Sequence, residues 1–268
     1  MRGRFLHGVA PWGLLLWSVL PLVPLLIWSV ARGWRYPDIL PAEFSVAAWK
    51  FAVSDASGVL ASLGVTAGIA LASTLAALVI GLPAARVLGG RTFRGKLLVQ
   101  TLFLVPVLMP GIAVALGLHG VFLKLGLTNG VAGVVLVHVV PTLPYMIVIL
   151  AGVFAGYDAD HEDQARSLGA APRQVFWHVT LPAILPGVLA ASLFTFLISW
   201  GQFLLTLMIG GGRVTTLPLL LFGFATSGRN DLAGAISLIY ILPGLIAVIA
   251  TARYISGRSA AVVALGRA

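Results

Sequence analysis

The chain has 268 residues, 59% of them hydrophobic and only 9% charged, with a formal net charge of +9. A soluble domain carries about a quarter charged residues, so this composition excludes a water-covered globule and points to an all-α, polytopic membrane protein. The sequence holds no cysteine, which excludes disulfides and thiolate metal sites; its basic residues are scattered between apolar runs and read as loop charges, not as a nucleic-acid surface.

The apolar runs are continuous, unlike the weak, roughly ten-residue alternation of a β-barrel, and six spans can be placed in chain order. The first covers about Ala10–Ala31. Arg2 and Arg4 precede it as in a signal peptide, but the run is too long for an ordinary secretory core, so a retained signal-anchor is expected. The segment Gly33–Gly58 is long enough for a small outer cap, extended around its prolines in "RYPDILPAEFS". The second span covers about Ser62–Ala85 and the third about Leu98–Leu118. Between them, "GGRTFRGKL" approaches a phosphate-binding loop, yet Leu97 stands where a Ser or Thr would hold Mg²⁺ and no buried strand precedes it. The fourth span is about Val131–Val153, the fifth about Ile184–Met208 and the sixth about Leu232–Ala252. Thr215–Thr226 is apolar but too short to cross, which suits a re-entrant or interfacial helix. "GVTAG" at Gly64–Gly68 and "GVFAG" at Gly152–Gly156 have the small-residue spacing that permits close helix contact.

With the N-terminus inside, inner segments carry eleven Lys and Arg residues and outer segments six. The bias predicts both termini in the cytoplasm. It also places the loop between spans four and five there, and that loop is unusual. Four of the eight carboxylates lie between Asp158 and Asp163. Asp158 can cap a helix with Asp160 in its first turn. Glu162 and Arg166 have the favoured i,i+4 order. Gly169 suits a left-handed stop, Pro172 can open a second short helix, and Leu181-Pro182 is expected to end it as the chain turns back into the bilayer. On that second helix Val175 and Val179 share one face, Trp177 and Leu181 another. Phe176 and Trp177 either pack on span ends at headgroup level or dock a partner protein.

This segment, from Asp163 to Pro182, resembles the signature loop of permease subunits of binding-protein-dependent ABC importers. The pattern is Glu-Ala-Ala, three residues, Gly, nine residues, Ile, one residue and Leu-Pro. Here Asp163, Gln164 and Ala165 take the triplet, Gly169 the glycine, Val179 the isoleucine and Leu181-Pro182 the close. Asp163 for glutamate and Gln164 for alanine are the clear departures. "HVVPTLPYMIVIL" and "FLISWGQFLLTLMIGGGRVTTLPLLLF" are similar to the same permeases, and the likeness covers about Ser62–Arg253.

The resemblance implies a type I ABC importer permease (MetI-like) fold: one transmembrane domain over 1–268, a core over 62–253 and a cytoplasmic coupling loop over 158–182. Such a subunit sits in the bacterial inner membrane, does no covalent chemistry, has no catalytic or metal residues and needs no cofactor of its own, because ATP is held by partner chains. The implied partners are an ABC ATPase dimer, a second permease (a paralogue favoured over an identical copy), an extracytoplasmic solute-binding protein and the lipid bilayer. Asp163, Ala165, Arg166, Gly169, Phe176, Trp177, Val179, Leu181 and Pro182 would couple to the ATPase. His138, Ser199, Trp200, Gln202 and Phe203 are the candidates for the solute path. The span-five region resembles the branch that handles polyamines, ferric iron, thiamine and phosphonates, with a polyamine such as spermidine or putrescine favoured, although no acidic residue lies near Gly201-Gln202. The alternative, a secondary transporter or channel, would use ionisable residues within spans, for which His138 and His119 are the candidates; His138 is otherwise an interhelical hydrogen-bonder. The loop's predicted side is checked with Ser167→Cys: a membrane-impermeant thiol reagent should modify it from the cytoplasmic face only, and labelling from outside intact cells would overturn the topology.

Overall fold

A computed structural model describes residues 13, 16, 17, 19–34, 38 and 41–265, with side chains through 255. Backbone groups in hydrocarbon must be satisfied within the chain, and the described residues accordingly form helices almost throughout. Two compact units divide the chain: Met1–Gly64 with Thr216–Pro243, and Val65–Thr215 with Gly244–Ala268.

In the first unit, α1 (Leu22–Val30) leads into a two-residue strand, β1 (Ala31–Arg32), paired antiparallel with β2 (Glu43–Phe44). α2 (Ala47–Ala52) and a 3₁₀ turn (Asp55–Ser57) come next. Residues 35–37, 39 and 40 of the expected extended stretch lie outside the described residues, as do parts of the first span. α11 (Leu217–Thr226) is the short apolar helix expected there, and the first part of α12 (Asn230–Leu265) completes the unit. Ala48, Ala52, Val59, Leu217, Leu232 and Ile236 form its core.

The second unit is built around α6 (Val131–Ala155). Around it lie most of α3 (Val59–Gly90), α4 (Lys96–Leu108), α5 (Gly111–Lys124), α7 (Asp160–Ser167), α8 (Pro172–Val175), a π turn (Phe176–Thr180), α9 (Leu181–Trp200) and α10 (Leu204–Gly210). One apolar cluster joins α3, α5, α6 and α10 through Ile69, Phe122, Val134, Val137 and Ile209. A second joins α3, α6 and α9 through Ala77, Met146, Leu150, Phe154, Ile184 and Val188. The stretch that approaches a phosphate loop is the link from α3 to α4, preceded by a helix and not by a strand.

Three expectations need correction. The third span is two helices: α4 and α5 meet at a 99° bend. Met109 is extended, with ψ 145°, as the residue before a proline prefers, and Pro110 then opens α5. The fifth span breaks at Gly201–Phe203, between α9 and α10. Toward its start, however, the helix does not stop at Leu181-Pro182; α8, the π turn and α9 run continuously over Pro172–Trp200. Among the described residues, four helices are long and apolar enough to cross a membrane, five when the bent pair is taken as one span.

The small-residue spacings also fall elsewhere than expected. A side chain at Gly64, Gly68 or Gly152 would meet open space. Close approaches to α6 fall instead at Gly81 against Met146, at Gly187 against Val153 and at Gly89, where a Cβ would collide with the Ala151 carbonyl and the Phe154 side chain. The Gly89 contact brings the end of α3 against the end of α6, directly beside the polar loop.

Candidate functional site

The loop between α6 and α9 is built from hydrogen bonds of its own. The Asp158 carboxylate accepts the Asp160 amide at 3.0 Å, opening α7. At the other end Gly169 is left-handed, with φ +88°. Its amide donates to the Arg166 carbonyl and that of Ala170 to the Ala165 carbonyl. This paired pattern closes orphan carbonyls at a helix end, and glycine supplies the required backbone without strain. Pro172 is the first residue of α8, and the Gln174 side chain accepts the Ala171 amide at 2.8 Å.

The π turn changes the register of the helix beyond it. Buried residues recur along the continuous helix at Val175, Thr180, Ile184, Val188, Ala191, Thr195 and Ser199. From Thr180 onward the steps are three or four, the helical period. The step from Val175 to Thr180 is five, and the Leu181 amide donates to the Phe176 carbonyl across that wider turn. The extra residue sits just before Pro182, which has no amide to give and whose ring crowds the preceding turn. Thr180 therefore takes the inward position that simple periodicity assigns to Val179.

Thr180 faces Glu162. The Glu162 side chain is only 2% exposed and is the one buried residue of α7. Its Oε1 accepts the Thr180 hydroxyl at 2.7 Å. Its Oε2 accepts Arg86 from α3 at 2.6 Å and Arg166 at 2.8 Å. Burial acts to raise the pKa of Glu162, but the bonds from Thr180 and Arg86 and the charges of Arg86 and Arg166 outweigh it, holding the carboxyl below its ordinary value. The second arm of Arg166 donates to Asp163 at 2.6 Å. Beside the cluster, burial and then the Glu162 charge raise the Tyr157 phenol against the Arg86 charge.

Among the residues singled out from the sequence, Asp163 is exposed and pairs with Arg166. Ala165 and Val179 are half-buried, as are Leu181 and Pro182. Phe176 and Trp177 form an edge-to-face pair 5.3 Å apart, with Trp177 61% exposed. Leu168, just before the glycine turn, is 90% exposed. Leu168, Gly169, Gln174, Val175 and Val179 line an open cleft of about 490 Å³. The element thus presents two large apolar side chains, Leu168 and Trp177, on an otherwise polar outer surface, while its inner anchor is charged. Sequence reasoning named the Glu162–Arg166 spacing but missed Arg86 and Thr180; no local signal connects Glu162 to a residue 76 positions away.

The solute-path candidates separate into two groups. His138, Ser199 and Trp200 are buried. His138 Nδ1 lies 2.9 Å from the Ser199 hydroxyl and Nε2 lies 2.9 Å from that of Thr206. Thr206 donates its single proton to the Gln202 carbonyl at 3.2 Å, so Nε2 carries the hydrogen toward Thr206 and Nδ1 accepts from Ser199. His138 thereby joins α6, α9 and α10 across the break, as an interhelical hydrogen-bonder. Trp200 stacks on Phe196. Gln202 and Phe203 instead lie at the break and, with Pro106, Gly111 and Pro141, line a cavity of about 290 Å³. His138, Ser199 and Trp200 are absent from its lining.

The family of binding-protein-dependent transport system inner membrane components matches residues 77–260. The molybdenum transport system permease protein ModB of Mycobacterium tuberculosis is 34% identical over 197 residues, 67% of this chain and 74% of that protein. The spermidine/putrescine transport system permease protein PotC of Haemophilus influenzae is 30% identical over 66% of this chain and 69% of its own. The putative 2-aminoethylphosphonate transport system permease protein PhnV of Salmonella typhimurium is 29% identical over 90% of both chains. Among solved structures, a bacterial ABC transporter involved in import of the acidic polysaccharide alginate superposes over 95% of this chain and 98% of its own, with a TM-score of 0.70 and 18% identity. The MetNI methionine ABC transporter in an inward-facing conformation superposes over 74% of this chain and 95% of its own, with a TM-score of 0.60 and 18% identity.

The His138 bonds make a stability prediction. His138→Leu leaves the buried Ser199 hydroxyl without its partner and should cost about 1–3 kcal/mol, seen as a lower melting temperature of the purified protein in detergent. A wild-type melting temperature would show that the bridge across the break carries no load.

Proposed function

The chain belongs to the family of inner membrane components of binding-protein-dependent transport systems, and from that premise we propose that Asp158–Pro182 is its cytoplasmic coupling element and that its cargo is a small oxyanion. The protein is a permease subunit of an ABC importer, not an enzyme. ATP hydrolysis belongs to a partner ATPase, and an external binding protein delivers the solute. Family membership removes the alternative of an ion-coupled carrier, and both ring nitrogens of His138 are already spent on hydroxyls.

The observation that carries the coupling reading is the two-sided character of the loop. Its inner side is fixed by a buried carboxylate with three donors, and its outer side presents Leu168 and Trp177 to the surroundings. Exposed apolar side chains on a rigid support are what a docking partner buries. The excess of basic residues in the segments on the loop's side of the membrane supports a cytoplasmic position, where an ATPase can reach it. Both termini then lie on the same side. A paralogous second permease is the pairing that the resemblance to the polyamine, iron and phosphonate branch favours.

The cargo reading rests on charge. The spans over 59–90, 96–124, 131–155 and 172–200 contain no Asp or Glu, and the one carboxylate of the helix from Asn230, Asp231 in its first turn, is paired with Arg229. A polyamine would pass them without any fixed countercharge, at a desolvation cost that nothing in these spans offsets. Relatives named for molybdenum and for a phosphonate stand beside those named for polyamines, and the absence of carboxylates weighs toward the anions.

Two experiments check these proposals. The double substitution Leu168→Asp and Trp177→Asp should abolish co-purification of the ATPase while the protein remains in the membrane; undiminished co-purification would overturn the docking surface. In proteoliposomes holding the complete transporter and its binding protein, ATP should drive uptake of an oxyanion such as molybdate or a phosphonate and not of putrescine; ATP-driven putrescine uptake would overturn the cargo reading.

A further inference from the structure

We propose that Glu162 is the positioning residue of transport: a single buried carboxylate that makes the coupling element one mechanical piece with two membrane helices. The proposal rests on the reading of this loop as the ATPase-facing element. It concerns a residue outside the signature triplet, whose own carboxylate, Asp163, is exposed.

α7 has no apolar anchor. Its only buried side chain is Glu162, so its orientation comes from directed polar bonds and not from the non-directional burial of hydrocarbon. Three donors converge there from three places. Arg86 comes from the last turns of α3. Thr180 comes from the end of the π turn, at the foot of α9. Arg166 comes from α7 itself and also grips Asp163. Charge-assisted bonds at 2.6 and 2.8 Å are short and geometrically demanding, and a buried carboxylate deprived of one partner is left uncompensated. Sliding α7 past α3 or α9 must therefore break a bond to a buried charge. A push received at Leu168 and Trp177 is passed to α3 through Arg86 and to α9 through Thr180. The π turn belongs to the same device, since without its extra residue Val179 would occupy the place from which the Thr180 hydroxyl reaches Glu162.

The test measures solute transported per ATP hydrolysed by the assembled transporter in proteoliposomes, with ATPase co-purification as the measure of assembly. Glu162→Gln keeps the side chain's size and removes its charge. The ratio should fall roughly tenfold, with ATPase still bound at wild-type stoichiometry. Arg86→Gln should do the same, and the double substitution should be no worse than either single one, because both remove the same bond. A role confined to folding would reduce the amount of assembled transporter without changing the ratio. If Glu162→Gln fails to assemble, Thr180→Val decides: it removes one neutral donor and should still lower the ratio several-fold. Wild-type ratios in the assembled variants, or a double substitution whose effect is the product of the two single ones, would overturn the proposal. A wild-type chain that does not bind the ATPase would instead sink the coupling reading itself, so the two failures are distinguishable.

Discussion

Taking a carboxylate out of water costs several kcal/mol unless donors replace the lost hydration, and the polar loop of this permease is organised around meeting that demand at Glu162. One oxygen takes a hydroxyl and the other two guanidiniums. The demand recruits residues far apart in the chain. It gives Arg86 a partner at the end of α3, where an arginine otherwise only marks the loop side of a span. It gives Thr180 a reason to face inward on a helix whose other buried positions in the span are mostly apolar. The close passage of α3 over α6 at Gly89, one turn beyond Arg86, belongs to the same arrangement: the bulkless contact fixes the end of α3 within the loop's reach.

Much of this was legible in the sequence. The class of protein emerged from composition, because a chain with so little charge has no means of covering a soluble surface. The glycine turn at Gly169, the opening of α8 at Pro172 and the shortness of α11 emerged from local chemistry, since each depends on residues within one turn of the feature. The family emerged from the resemblance of Asp163–Pro182 to its signature loop. The parts that were not legible share a physical cause: they depend on phase or on distant partners. A π turn inserts one residue and rotates everything after it by about a quarter turn, so Val175 and Val179 read as one face while Thr180 occupies it. Asp163 and Glu162 are adjacent carboxylates, and only the position of Arg86 distinguishes the buried one from the exposed one. The glycine spacings at Gly64–Gly68 and Gly152–Gly156 fit a contact pattern, but in this fold the partner helix passes elsewhere.

The broken helices obey a related rule. Non-helical backbone at membrane depth persists only where protein or a cavity satisfies it. At Gly201–Phe203 the Gln202 carbonyl is taken by the Thr206 hydroxyl, which is held in turn by His138. At Met109-Pro110 the break falls next to the cavity that also receives Pro141, Gln202 and Phe203. The prolines were visible in the sequence as frequent, but frequency does not say which one breaks a span. Pro83, Pro141 and Pro144 remain inside continuous helices. Pro110 breaks its span at Met109, whose backbone is extended as a residue before proline prefers.

The loop sets a charged anchor on its inner side against two apolar side chains, Leu168 and Trp177, on its outer side. Exposed apolar side chains such as these can be buried and released with little directional preference. An apolar anchor would share that tolerance and allow the element to roll under load. A carboxylate with three aimed donors does not. Its strength is also steady under working conditions. The Glu162 pKa is depressed in the folded protein, so the stability it contributes is present at all pH values above the ordinary carboxylate range and is lost only as pH falls through its lowered folded value. At neutral pH the clamp is fully ionised and does not titrate, so the loop keeps one anchored geometry under working conditions.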